Sequence, residues 1–162
     1  MKPLSRSFYE RKTETVAREL LGKTLQFNDK QARITEVEAY LGDKDPASHA
    51  YGKLTQRNKI FYGPAGIAYV FMIYGMHWCF NVITGPVGKP GCVLISGIDE
   101  TFGPGRVSKF FGFTGEHNGL DLTTGPITIV SIGRKVKKIT VGPRVGITRG
   151  INLPLRFVAS DS

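Results

Sequence analysis

Glu36, Glu38 and Tyr40 alternate along the run Ile34-Thr-Glu-Val-Glu-Ala-Tyr40. That period places the three, with Ile34, on one face of a strand and Thr35, Val37 and Ala39 on the other. A carboxylate at the floor of an aromatic pocket can hold a water and take its proton. It can also stabilise positive charge developing on a nearby sugar. Most strand carboxylates do neither and are solvated or ion-paired, and Glu36 is read that way first. Glu38 stands apart because Tyr40 follows it and the polar stretch with His49 comes next. Spacing alone leaves Glu38 open between catalysis and structure.

Tyr69, Phe71, Tyr74, Trp78 and Phe80 crowd the next apolar run. Core packing is the default for most of them. A two-residue turn at Gly75-Met76 would set Tyr74 opposite His77, Met72 opposite Cys79 and Val70 opposite Asn81. Tyr74 is then exposed at the tip of a hairpin, where an aromatic ring can wedge into a base stack.

The rest of the chain must position these groups. Val16, Ala17, Leu20 and Leu21 predict a helix over 13–21, capped by Thr13 and stopped by Gly22. Strands are expected at 24–27, 32–40, 92–98, 127–132 and 138–141, besides the hairpin. Residues 42–66 form a long polar stretch of the kind that often carries function. Gly103-Pro-Gly105 precedes a helix bearing Arg106, Val107, Lys109, Phe110 and Phe111. Its start could meet a phosphate through backbone N–H groups, with Arg106 and Lys109 beside them. Strands outnumber helices and turns are short. The pattern predicts an α+β fold: one domain, 1–162, on a curved, mainly antiparallel sheet, a roll or partial barrel flanked by helices.

Composition narrows the partners. The 162 residues carry 22 basic and 13 acidic side chains, a net charge of +9. Such an excess points to an anionic partner, most often nucleic acid. No apolar run is long enough to span a bilayer, and no signal-type apolar core follows the basic N-terminus, so the expected location is intracellular and no membrane partner is expected. Cys79 and Cys92 sit in apolar runs and give neither a disulfide framework nor zinc ligands. His49, His77 and His117 lack metal-binding spacing. No metal and no cofactor are expected.

An ordered set of short motifs carries a resemblance. It comprises Ala17-Arg-Glu-Leu-Leu-Gly22, Glu36-Val-Glu-Ala-Tyr-Leu-Gly42, Ser48-His49, Arg57-Asn58, and Tyr74-Gly-Met76 with Cys79 and Asn81. Cys92-Val-Leu94, Gly103-Pro-Gly105, Arg144-Val-Gly146 and Pro154-Leu-Arg-Phe157 complete it. The chain resembles the 3-methyladenine (alkyladenine, methylpurine) DNA glycosylases over nearly its whole length. The resemblance implies a monofunctional enzyme of base excision repair. Such an enzyme flips a damaged purine out of duplex DNA and hydrolyses its N-glycosidic bond. It implies that Glu38 activates the water and that the Val145 carbonyl helps hold it. Tyr40 and His49 would line the flipped base, with Phe71 on its other side, and Cys79, Asn81 and Leu94 would complete the pocket. Asn81 would crowd the exocyclic amine of normal guanine. Tyr74 would be the wedge, with Met76 and Arg57 also on DNA. The implied partner is damaged duplex DNA, met by a monomer in the cytoplasm or, in a bacterium, the nucleoid.

One position departs from the family. The residue after Cys92-Val-Leu-Ile95 is usually an arginine that positions the water; here it is Ser96, which offers one short hydroxyl. The departure leaves open a homologue that binds lesions without cleaving them, and the basic charge and aromatics leave open, separately, a basic module for single-stranded nucleic acid.

Overall fold

The computed structural model describes residues 2–42, 45–52, 55–56, 58–86, 88–132 and 135–160. Two helices open the chain, α1 (Arg6–Tyr9) and α2 (Thr13–Leu20). Strands β1 (Thr24–Phe27), β2 (Lys30–Tyr40), β3 (Ala68–Ile73), β4 (His77–Thr84), β5 (Gly91–Ile98) and β6 (Thr101–Phe102) follow. After α3 (Pro104–Phe111) come β7 (Ile127–Val130), β8 (Lys138–Gly142) and β9 (Arg156–Ser160). The nine strands form one sheet in the order β3-β4-β5-β2-β1-β7, with β6 on β5 and β9 pairing both β2 and β8. All pairings are antiparallel. The sheet curls into a half-barrel with the helices beside it, the α+β architecture expected.

One sheet face is the core. Ile34, Val37 and Ala39 of β2, Val93 and Ile95 of β5, and Phe80 and Val82 of β4 pack there with Val16, Ala17 and Leu20 of α2 and Val107 and Phe111 of α3. Full burial of a valine or leucine side chain is worth roughly 1.5–3 kcal/mol, so the apolar stripe on α2 is enough to dock it. Pro104 starts α3, and Gly112 (φ 82°) ends it in the left-handed conformation.

Three local expectations are corrected. Thr13 is the first residue of α2 rather than its cap, and its buried hydroxyl meets that of Thr84 at 3.1 Å. Ile34 does not share a face with Glu36, Glu38 and Tyr40. The register of β2 against β5 shifts on both sides of Glu36, and this bulge turns Ile34 into the core beside Val37 and Ala39. The hairpin loop has one more residue than expected. Tyr74 (φ 52°) and Gly75 (φ 65°) are both left-handed, and Met76 N–H donates to the Ile73 carbonyl at 3.1 Å. Ile73 therefore pairs with His77, Phe71 with Cys79 and Tyr69 with Asn81. The one-residue change moves Phe71 and Tyr69 onto the face of Cys79 and Asn81.

Candidate active site

The sheet face opposite the core carries a pocket of about 500 Å³. Alternate residues of neighbouring strands line it: Glu36, Glu38 and Tyr40; Cys92, Leu94 and Ser96; Tyr69 and Phe71; Cys79 and Asn81. Segment 143–147 adds Val145, and the polar stretch adds His49.

Glu38 lies at the floor, only 3% exposed. Its Oε1 accepts from the Tyr40 hydroxyl at 2.8 Å, and its Oε2 from Val145 N–H at 2.8 Å. Burial pushes its pKa up from the ordinary value of 4.5; the Val145 and Tyr40 donors pull it back, Glu36 adds to the rise and Arg144 opposes it. Each carboxylate oxygen has two acceptor sites, so both keep room for a water after these bonds. The arrangement can hold a water and accept its proton.

Aromatic rings form the walls. His49 Nδ1 meets the Tyr69 hydroxyl at 2.7 Å, and the His49 and Phe71 rings are 4.4 Å apart. Rings this close leave no room for a flat guest between them. His49 and Phe71 therefore share one wall, where the sequence reading had set them on opposite sides of a base. Tyr40 supplies a second wall, backed by the Arg144 guanidinium 4.7 Å from its ring centre. Arg144 is fully buried and forms a forked ion pair with Asp45, its Nη2 2.9 Å from Oδ1, while Nη1 also donates to the Ala39 carbonyl at 3.1 Å. Asp45 in turn accepts from the N–H groups of Leu41 and Ala47, at 2.9 and 3.1 Å. One ion pair thus joins the stretch bearing His49 to the segment bearing Val145.

Asn81 is buried, with Nδ2 donating to the Tyr69 carbonyl at 3.1 Å and Oδ1 facing the Cys92 thiol at 3.6 Å. Burial pushes the Cys79 thiol up to about 11, helped by the charge of Glu38, and raises Cys92 further. Both stay protonated at neutral pH and act as small apolar or weak-donor groups. Leu94 is buried between Glu38 and Asn81 as the pairing partner of each. Ser96 is buried, and its hydroxyl donates to Glu36 Oε2 at 2.9 Å.

Tyr74 stands at the pocket mouth, 81% exposed, with Met76 exposed beside it in the same loop. Gly103 and Pro104, the start of α3, form another part of the rim. Arg106 is in the first turn of α3 and exposed, whereas Lys109 is in the last turn, further from the rim. Arg57 lies outside the described residues. Sequence reasoning gave no role to Tyr69, Asp45, Arg144 or Arg156. Only Tyr69 carried a readable signal, its spacing of two from Phe71 on the same strand.

A family model described as methylpurine-DNA glycosylase matches residues 7–101 and 98–162. The chain is 42% identical to a Rickettsia peacockii protein over 98% of its own length and 91% of that protein. It is 41% identical to an Ehrlichia chaffeensis protein (98% and 93% covered) and 39% identical to one from Rhodopseudomonas palustris (98% and 85%). All three carry the name "Putative 3-methyladenine DNA glycosylase". By family model and by these full-length likenesses, the chain belongs to the methylpurine-DNA glycosylase family.

Proposed function

We propose that residues 1–162 act as one domain, a monofunctional DNA glycosylase that flips damaged purines out of duplex DNA and hydrolyses the N-glycosidic bond inside the cell. The observation that carries this reading is Glu38, a buried carboxylate held by two donors at the floor of an aromatic pocket. Tyr74 and Met76 fill the gap left by the flipped nucleotide. The base enters beside Tyr40, facing the His49–Phe71 wall. Asn81, held by its own hydrogen bonds, tests the exocyclic edge of the base. Water on Glu38 attacks the anomeric carbon, Glu38 takes the water's proton, and the electrons of the breaking bond leave with the base. The carboxylate also offsets positive charge on the sugar during that step. Arg106 and the general basic excess hold the phosphates.

No lysine is among the described residues lining the pocket, which favours hydrolysis over attack by a lysine amine. The test uses duplexes holding 3-methyladenine, hypoxanthine or ethenoadenine. The expected result is free base, with strand cleavage only after alkali. Binding without base release would favour the lesion-binding homologue. Strand scission without alkali would contradict the monofunctional reading.

A further inference from the structure

Glu36 lines the same pocket as Glu38 but has had no part in the chemistry so far. Its side chain is 15% exposed, and both its oxygens are engaged. Ser96 donates to Oε2 at 2.9 Å, and Arg156 Nη1 donates to Oε1 at 3.2 Å. Gly97 pairs with Glu36, and a β-carbon there would come within 2.8 Å of the Glu36 β-carbon. The strand has therefore given up a side chain where Glu36 packs.

Arg156 reaches this spot from β9, where its backbone partner is Glu38 itself. Its side chain crosses diagonally to Glu36, as long side chains do between antiparallel strands. The same guanidinium uses Nε to donate to the Pro143 carbonyl at 2.8 Å. Two residues on, Val145 N–H donates to Glu38. One arginine thus grips both the second carboxylate and the segment that holds the first.

We propose that Arg156 is a positioning residue for Glu38: it neutralises Glu36, so that this neighbour does not keep Glu38 protonated, and it tethers Pro143, so that Val145 N–H stays on the carboxylate. The proposal rests on Glu38 being the base. The groups bearing on Glu38 are Glu36 and the Tyr40 hydroxyl from its own strand, the Cys79 thiol from β4, and Arg144 and Val145 N–H from the 143–147 segment; Arg156 of β9 pairs with Glu38 through the backbone and sends its charge to Glu36. Glu36 is the one negative charge among them and acts to raise the Glu38 pKa. Arg144 is already committed to Asp45, which leaves Arg156 as the cation in contact with Glu36 among the described residues.

The test is the pH profile of single-turnover hypoxanthine release from a duplex. Base catalysis needs ionised Glu38, so the rate falls on the acid side. R156Q should move that acidic limb to higher pH, on the order of 1 unit, because Glu36 then acts unopposed. E36Q should move it to lower pH. The double variant E36Q/R156Q should bring the limb back towards wild type, and R156K, which keeps the charge but has only one nitrogen for both Glu36 and Pro143, should move it less than R156Q does. A rate loss in R156Q that is equal at every pH, with no return in the double variant, would overturn the proposal. So would an unmoved limb in E36Q, a variant that keeps shape and does not depend on how R156Q folds. Failure of the underlying reading is separate: E38Q releasing base at the wild-type rate would remove Glu38 as the base whatever Arg156 does.

Discussion

The Tyr40 hydroxyl donates to Glu38 Oε1 at 2.8 Å, from two residues further along the same strand. The bond couples the wall of the pocket to its floor. The residue that walls the pocket also stabilises the ionised form of the carboxylate beneath it. Burial drives the Tyr40 pKa up, with Glu38 adding to the rise, so Tyr40 remains a donor at every working pH.

Tyr40→Phe keeps the ring and removes that donor. Hydrogen bonds to charged groups are worth roughly 1.5–3 kcal/mol. Glu38 already stands above its ordinary 4.5, and losing the donor raises it again. The acidic limb of base release should move to higher pH while the alkaline plateau falls much less. A uniform loss at all pH values would mean that the hydroxyl acts elsewhere.

Tyr74→Ala removes a ring that is 81% exposed, so stability should change little. Stacking on a base is worth roughly 1–3 kcal/mol. Titration should show weaker binding to a lesion duplex and a smaller change on undamaged DNA, which is held by phosphate contacts. Equal weakening on both would count against a wedge.

Ser96→Arg installs the residue that the family resemblance leads one to expect at this position. In this chain Glu36, 2.9 Å from the Ser96 hydroxyl, would be its first partner. A fixed charge beside the floor should help most where the leaving base carries no charge of its own. Single-turnover rates should rise for hypoxanthine relative to 3-methyladenine. The same ratio as wild type would sink the idea.

Asp45→Asn breaks the buried pair with Arg144, whose side chains are both 0% exposed. Leaving one charge of such a pair behind costs about 3–5 kcal/mol. Urea unfolding should show that loss, and base release should fall because the stretch bearing His49 is no longer tied to Val145. Wild-type stability would mean that the pair is not the strut described.

The alternation of Glu36, Glu38 and Tyr40 was legible because a strand's period of two is local. So were α2 and α3, whose apolar stripes and terminal glycines are local too. The hairpin was misread by one residue because Tyr74 takes a left-handed conformation that sequence rules reserve for glycine. The bulge beside Glu36 left no mark in the residue types. Asp45 and Arg144 stand 99 residues apart, and only the tertiary fold brings them together. Arg156 lay in a recognised motif, yet its reach to Glu36 depends on β9 pairing with β2, which no local pattern announces.

Base release by Glu38→Gln tests the central claim most directly. The amide keeps the shape and loses the basicity. Single-turnover release should fall by about 100-fold or more, while affinity for a lesion duplex stays close to wild type. Release at the wild-type rate would contradict the account.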